Sequence, residues 1–244
     1  YTAISPEIRQ LTQSTDSFGR ILCSDYDYLP SESRYWYDSS LSVSTSDGYA
    51  FRTLPIYVLH AEQAYLDGNY SRLCKNLNYS YYNGVVHSLG LGFCGFSKIY
   101  TYDYLDSLLT LSIASYNPEK MGVLTNLTAQ HGYSGTPYVT VTNTYDSNST
   151  TYGKLSPRLT KTVTDDTVTG VETTTTYSYG SYDLCSIRLT SRSMNVGPNP
   201  RITILQTKTE KLARTYENSV SPSKYVLGIV TEEDVIKDGD LDAT

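Results

Sequence analysis

Polar and apolar side chains alternate with a period of two along much of the chain. The clearest runs cover residues 137–147, 158–168 and 171–183, where threonine, tyrosine and valine recur. A period of two places successive side chains on opposite faces of a pleated strand. β-branched and flat side chains pack well across neighbouring strands, so these residue types suit a half-buried sheet surface. The pattern therefore predicts an all-β fold.

Short turn signals separate the alternating runs. Asp-Gly and Asn-Gly pairs tolerate a positive backbone φ and favour hairpin turns, and they occur at Asp47-Gly48, Asp67-Gly68, Asn83-Gly84 and Asp238-Gly239. Further turns are expected at residues 16–19, 169–170 and 179–180. We predict strands near residues 8–14, 20–28, 41–46, 50–60, 71–82, 96–103, 109–116, 123–133, 138–146, 158–167, 171–180, 184–194, 201–216 and 225–236. A spacing of about 10–15 residues is typical of antiparallel meanders.

One segment carries mixed signals. Residues 56–66 have helix formers at their centre, whereas Pro55 and the β-rich start favour a strand. We predict a strand here, with a helix as the alternative, and residues 103–111 are ambiguous in the same way. The predicted fold is therefore one elongated, twisted antiparallel sheet.

The composition narrows the class of protein. Tyrosine supplies 25 of the 30 aromatic residues, since there are only 4 Phe and 1 Trp, so tyrosine must provide much of the buried area. The longest apolar run covers residues 54–59, whereas a membrane span needs about 20 residues. A net charge of −6 argues against a nucleic-acid partner. Abundant aromatic and β-branched residues argue against disorder.

A shift from tyrosine-rich to threonine-rich sequence near residues 104–107 suggests two parts. We predict an N-terminal β segment, 1–105, and a threonine- and tyrosine-rich segment, 106–244, with one continuous domain as the alternative. The chain opens on Tyr1 with no leader, which favours a piece of a longer protein. No Cys-x-x-Cys pair occurs, and we expect four free, packed cysteines, namely Cys23, Cys74, Cys94 and Cys185.

A Gly-x-Gly-x-x-Gly string spans Gly90, Gly92 and Gly95. A dinucleotide site needs this string to open a helix whose N-terminus meets the pyrophosphate. The residues that follow, 96–103, alternate as a strand does. We therefore interpret the string as a glycine-rich bend where backbones approach closely, and we expect no nucleotide cofactor.

The other candidate groups do not form a chemical site in the sequence. Residues 238–242, Asp-Gly-Asp-Leu-Asp, resemble only the start of a calcium loop, which also needs a closing bidentate glutamate between helices. The acidic runs 165–166 and 232–234 fit exposed turns or faces. The histidines lack metal-ligand spacing, and Cys94 near His87 is better explained as a packed side chain; the three histidines are His60, His87 and His131. We predict no catalytic, cofactor-binding or metal-binding residue.

Several strings resemble the YD repeats of RHS proteins. Residues 16–21, Asp-Ser-Phe-Gly-Arg-Ile, are similar to the end of the pattern Tyr-Asp-x-x-Gly-Arg-Leu, and residues 175–183 are similar to a degenerate copy. Residues 89–99 are similar to the Gly- and Phe-rich stretch that precedes the repeats in RHS proteins and in Tc-toxin B components, although Leu91 stands where a basic residue is common. The order of these motifs fits over roughly residues 8–240. Tyr-Asp pairs occur at Tyr26-Asp27, Tyr102-Asp103, Tyr145-Asp146 and Tyr182-Asp183.

The resemblance implies a spiralling antiparallel sheet that closes into a hollow shell around an effector polypeptide. We therefore expect a curled piece of a β-shell, without catalysis, in a bacterial surface or secreted protein. Its partners would be flanking repeats of the parent chain, an enclosed effector, and a second copy pairing at an exposed strand edge. The family's self-cleaving core has no counterpart here.

The tyrosine-rich strands leave one alternative open. Exposed tyrosine rows can stack on sugar faces and donate hydrogen bonds through their hydroxyls. The chain would then be a surface module that binds a glycan or a partner protein. Rings that pack against one another favour the wall, whereas clustered exposed rings favour the binding module.

Overall fold

The computed structural model describes residues 12–31, 35–68, 70–105, 109–146, 157–179, 185–195, 205–221 and 224–238. Nearly all of them lie in one 15-stranded sheet, and within these ranges the only helical turns are two short 3-10 turns, Leu29–Ser31 and Pro118–Lys120. The strands are β1 (Gln13–Thr15), β2 (Ile21–Tyr28), β3 (Tyr35–Trp36), β4 (Tyr49–Phe51), β5 (Tyr57–Tyr65), β6 (Leu73–His87), β7 (Gly92–Asp103), β8 (Thr110–Asn117), β9 (Val123–His131), β10 (Pro137–Tyr145), β11 (Leu159–Asp166), β12 (Val171–Tyr179), β13 (Cys185–Asn195), β14 (Leu205–Ser221) and β15 (Lys224–Asp238). The predicted all-β, antiparallel fold is confirmed.

The strands pair mainly in chain order, from β1 through β2, β5, β6 and onward to β15, so the sheet does not close. The chain divides into two units, Tyr1–Gly122 with Gln130–Gly135, and Val123–Ala129 with Thr136–Thr244. The subdivision predicted at residue 105 borders residues 106–108, which lie outside the described part, and it stays a prediction.

The first unit is organised around β6. One edge of β6 pairs with β7, and the other edge is covered in succession by β5, by the parallel two-residue strand β3 and by β4. The small core beneath β6 consists of Leu29, Val58 and Tyr81, with partly buried residues packed around it. One aromatic ring among three core residues matches the expectation that tyrosine replaces aliphatic side chains.

The second unit is a succession of antiparallel hairpins. Threonine faces threonine across adjacent strands, as where Thr162 lies opposite Thr175 and Thr175 lies opposite Thr190. The hydroxyls of Thr175 and Thr190 lie 3.1 Å apart, and Thr162 donates to the side-chain oxygen of Asn143 at 2.8 Å. Cross-strand threonine packing of this kind is what the period-two threonine pattern predicts.

Two strand predictions were wrong. Residues 41–46 form a loop, because the backbone N–H of Ser44 bonds the carboxylate of Glu119 and the carbonyl of Ser44 closes a turn. The predicted 50–60 strand is two strands, since proline lacks an N–H for the ladder and Pro55 lies in the gap between Phe51 and Tyr57. The strand over residues 56–66 was predicted correctly against the helical alternative. The predicted strand at 8–14 lies mostly outside the described residues.

The turn predictions held at most sites but failed at one. Gly19, Gly48 and Gly170 have a positive φ in turns. The Asn83-Gly84 pair does not form a turn, because it lies inside β6, which continues to His87. Asp238-Gly239 is described only at Asp238.

All four cysteines are free, as expected. Three are half-buried, but Cys74 is exposed, which corrects the expectation that all four are packed. None of the helical segments that the structure describes is long and apolar enough to span a membrane.

Candidate functional site

The glycine string starts a strand and not a helix. Gly90 has φ +124° in the turn after β6, and Gly92, with φ +72°, is the first residue of β7. A Cβ at Gly90, Gly92 or Gly95 would meet no atom within 4 Å. These positions therefore need glycine because their backbone φ is positive. The predicted close approach of backbones at these three glycines was wrong. The interpretation as a bend is confirmed.

The close approach occurs instead at Gly84. A Cβ there would lie 2.8 Å from the backbone oxygen of Arg52, whose N–H donates to the Gly84 carbonyl at 2.8 Å. The N–H of Gly84 donates to the hydroxyl of Tyr35 at 3.1 Å. Gly84 thus allows the segment that leads out of β4 to lie directly against β6.

Asn83, on β6, anchors the loop between β3 and β4 to that strand. Asn83 is fully buried and has φ +46°. Its carboxamide oxygen accepts from the N–H of Asp38 at 2.7 Å, and its carboxamide nitrogen donates to the Asp38 carbonyl at 2.9 Å. The carboxylate of Asp38 accepts from Ser40 and pairs with Lys98 at 2.9 Å. The Ser40 hydroxyl, followed by Lys98, lowers the pKa of Asp38 to about 2. This polar junction has a structural role.

A row of aromatic rings crosses one face of the first unit, beside this junction. Trp36 and Tyr82 have ring centroids 6.5 Å apart, Tyr82 and Tyr100 4.6 Å, and Tyr100 and Tyr102 6.4 Å. Tyr102 also contacts Tyr104 and Tyr133, whose hydroxyls lie 3.2 Å apart. We call these six residues the aromatic row. Its middle rings are half-buried, and its ends are exposed, with Trp36 52% and Tyr133 68% accessible.

The second unit repeats one tyrosine contact. The hydroxyl of Tyr145 on β10 donates to the carbonyl of Leu124 on β9 at 3.0 Å, and that of Tyr179 on β12 donates to the carbonyl of Leu159 on β11 at 2.7 Å. The Tyr216 hydroxyl on β14 donates to the carbonyl of Cys185 on β13 at 2.7 Å. Each hydroxyl therefore bonds the preceding strand. We call Tyr145, Tyr179 and Tyr216 the clamp tyrosines.

Each clamp tyrosine also lies at an irregularity in pairing with the following strand. The register shifts fall between Thr144 and Tyr145, Ser178 and Tyr179, and Thr215 and Tyr216. A bulge bends its strand and increases the local twist. Burial raises the pKa of Tyr145 and Tyr179, which keeps both hydroxyls protonated as donors. The second unit thus repeats every two strands, with a clamp tyrosine beside a register shift in each repeat.

Candidate chemical groups are scattered over the described residues. Nδ1 of His60 lies 2.5 Å from Oδ2 of Asp27, and neither of these two buried atoms has a hydrogen-bond partner among the described residues. The ring of His87 contacts that of Tyr49 in a tilted arrangement with centroids 4.7 Å apart, and its Nδ1 accepts from the N–H of Leu91. Burial raises the pKa of the Cys94 thiol. No group of three metal-ligand side chains occurs within the described ranges.

The acidic runs occupy separate places. Asp166 accepts backbone N–H bonds from Val168 and Thr169 in the turn after β11. Glu233 on β15 pairs with Arg214 at 2.6 Å. Of the predicted Asp238–Asp242 run, residues 239–244 lie outside the described part. The sequence did not indicate the roles of Trp36 and Asn83. Only the fold reveals that Trp36 ends the aromatic row and that Asn83 anchors a loop distant in sequence.

No family model matches the chain, and no curated protein matches it by sequence. Solved structures do match its fold. The chain is similar to a chain in the crystal structure of TcdB2-TccC3, with TM-score 0.56 and 9% identity over 90% of this chain and 15% of that one. It is similar to a chain of the Photorhabdus luminescens Tc holotoxin pore carrying a mutated TccC3, with TM-score 0.57 and 9% identity over 93% of this chain and 15% of that one.

At this identity the likeness shows the fold alone. The described sheet has the fold of a segment of those much longer chains, of which it spans about 15%.

Proposed function

We propose that this chain is a non-catalytic wall segment of a β-shell of the RHS/YD-repeat type, in a surface or secreted protein that encloses or displays a toxin-like effector. The observation that carries the proposal is the repeat of clamp tyrosines beside register shifts on β10, β12 and β14. A wall needs each hairpin to hold its neighbour, and the hydroxyl bonds of the clamp tyrosines do this at regular intervals. The fold likeness to Tc-toxin chains supports the same function.

The mutual packing of the aromatic row also supports a wall. The centroids of its middle rings, Tyr82, Tyr100 and Tyr102, lie 4.6–6.4 Å from their neighbours in the row, so these rings pack on one another. Flanking repeats of the parent chain would pair with the ends of the sheet, at β1 and β15, since no described strand covers their outer edges. The enclosed partner would be an effector polypeptide.

Electron cryomicroscopy of the product of the complete reading frame tests the proposal. We expect β1–β15 to lie within a curved wall, with protein density on its inner side. A parent structure in which both faces of this sheet meet only solvent would overturn it.

Protease accessibility gives a second readout in the same parent protein. Replacing Tyr145 and Tyr179 by alanine should expose the enclosed segment to protease, whereas Tyr177→Phe should not. Tyr177 lies on the same strand as Tyr179 and makes no hydroxyl hydrogen bond among the described contacts. Equal protection in all variants would contradict a role of the clamp tyrosines in the wall.

The exposed ends of the aromatic row favour a second candidate, a surface module that binds a glycan or a partner protein. Trp36 is 52% and Tyr133 68% exposed, and both extend a row of stacked rings. A glycan array should then lose signal with Trp36→Ala or Tyr133→Ala. Phe18→Ala is the matched control, because Phe18 is 82% exposed on a turn outside the row. An unchanged array would exclude the row as the glycan site.

A further inference from the structure

The second unit contains a cavity of about 270 Å³ on the face of the sheet that carries Tyr177. Its floor is Leu212, which is only 7% exposed. Hydroxyl bonding to Leu159 holds the ring of Tyr179 in place. The cavity is lined by Tyr177, Tyr179, Cys185, Arg188, Leu212 and Arg214.

The sheet register extends this surface along β13. Arg188 lies directly opposite Tyr177 on β12 and Leu212 on β14, and Arg192 lies opposite Thr173. Directly opposed residues of antiparallel strands share a face, so both arginines lie on the cavity's face. Arg192 lies four positions after Arg188, which corresponds to about 13 Å along β13.

Neither arginine has a carboxylate partner among the side chains that the structure describes. Arg188 and Arg192 are exposed and form no ion pair or hydrogen bond with any described side chain. Glu210 and Lys208 of β14 lie opposite Thr190 and Arg192, so this face gains one carboxylate and one further cation between and beside the arginines. Asp146 pairs with Arg158, and Glu233 bonds the Nε of Arg214 at 2.6 Å. A guanidinium has five N–H donors, so Arg214 retains donors for a further ligand. A local excess of positive charge thus lies on a protein of net charge −6.

We propose that this surface binds an acidic polypeptide segment in an extended conformation. One carboxylate enters the cavity between Arg188 and Arg214, and a second carboxylate, four residues along, meets Arg192. The planar fork of arginine matches a carboxylate with two parallel hydrogen bonds. An extended chain presents residues i and i+4 on one side, about 13 Å apart, which equals the separation of the two arginines.

The proposal goes beyond the wall function and does not depend on it. A wall segment without this site would keep its sheet and lose only peptide binding. Conversely, peptide binding would persist if the parent protein proved not to be a shell.

Fluorescence anisotropy with defined peptides tests the site. The probe is a labelled eleven-residue peptide of glycine and serine with glutamate at its fourth and eighth positions. The matched probe has glutamate at its fourth and seventh positions, which face opposite sides of an extended chain. A third probe has glutamine in place of both glutamates.

We expect saturable binding of the first probe at low salt, at least fivefold tighter than binding of the second, and none of the third. R188Q should weaken binding by about tenfold, because it removes a charge-assisted hydrogen-bond pair, and R192Q should weaken it by about threefold. K161Q should change it by less than twofold. Lys161 is exposed on the opposite face of β11 and carries the same charge, so it controls for net charge.

Circular dichroism should show the same thermal midpoint for all three variants. A variant that loses binding because it is unfolded is recognised by its lower thermal midpoint. If R188Q is unfolded, R188K replaces it; lysine keeps the charge but not the planar fork of the guanidinium, so we expect an intermediate affinity.

The absence of saturable binding at millimolar peptide, or an equal loss with K161Q and R188Q, would overturn the proposal. A sulfated oligosaccharide that binds more tightly than the first probe and depends on Arg188 would also overturn it, by assigning the surface to a glycan.

Discussion

The carboxamide of Asn83 bonds both backbone polar groups of Asp38, across 45 positions of sequence. The two side-chain hydrogen bonds take the place of backbone β-sheet hydrogen bonds at the point where the segment between β3 and β4 leaves the edge of β6. Asparagine suits this position because it tolerates a positive φ and carries one donor and one acceptor. The contact thereby ties the loop to the central strand of the first unit.

Asn83→Ala should lower the free energy of unfolding by about 2–4 kcal/mol. The substitution removes two hydrogen bonds at a buried position, and alanine is strained at positive φ. Urea denaturation followed by circular dichroism measures the change. Asn83→Gly, which relieves only the strain, should lose less, and Asn126→Ala on β9 should cost under 1 kcal/mol because its one side-chain bond is exposed and 3.3 Å long. Equal losses for Asn83→Ala and Asn126→Ala would contradict the anchoring role.

Tyr179→Phe should destabilise the protein by about 1 kcal/mol, since it removes one hydroxyl hydrogen bond and leaves the Leu159 carbonyl without that donor. Tyr177→Phe should have no comparable effect. Thermal unfolding of both variants provides the comparison. The same loss in Tyr145→Phe and Tyr216→Phe would show that the three clamps are equivalent, and no loss in any of them would refute the clamp.

Stability should fall at alkaline pH. Burial, followed by the Glu62 carboxylate, raises the pKa of Tyr79 from 10.0 to about 12, and burial, followed by Tyr100, raises the pKa of Tyr82 to about 12. Below pH 10 both phenols are protonated in the folded and unfolded states, so this stabilisation is fully present. Between pH 10 and pH 12 the unfolded chain loses these protons first, and the stabilisation is progressively lost.

Urea denaturation at several pH values across this window measures the slope. Tyr82→Phe should make the fall shallower, because it removes one of the phenols whose pKa the folded state raises, whereas Phe18→Leu at an exposed turn should leave it unchanged. A stability that is constant through the window would show that these rings are not shielded from water in solution.

The outer edge of β15 should mediate self-association. No described strand pairs with it, and four apolar side chains on β15 are 45–54% exposed, namely Ile229, Val230, Val235 and Ile236. Unpaired edges with apolar side chains are templates for strand addition. Size-exclusion chromatography should show concentration-dependent oligomers, which Val235→Lys reduces. Val168→Lys, at an exposed turn, should not reduce them, and a monodisperse monomer at every concentration would be evidence against the edge.

The sheet could be predicted from local pattern because period-two alternation and turn residues act between neighbours in sequence. This reasoning placed β10 to β13 within one or two residues of their observed ends. The local pattern gave wrong predictions where contacts with residues distant in sequence determine the backbone conformation. Glu119 accepts a hydrogen bond from the N–H of Ser44 and holds residues 41–46 in a loop. Asn83-Gly84 stays inside β6, because Tyr82 and Gly84 pair with Lys98 and Phe96 of β7.

The sequence by itself determined that this protein is a tyrosine- and threonine-rich antiparallel sheet, since side-chain alternation and turn chemistry are local properties. Only the tertiary structure decided which tyrosines clamp a neighbouring strand, which rings join the aromatic row, and that Arg188 and Arg192 share a face with a cavity. Those relationships depend on strand register and on bulges. A shift of one residue would move every such side chain to the other face, and no local pattern specifies that choice.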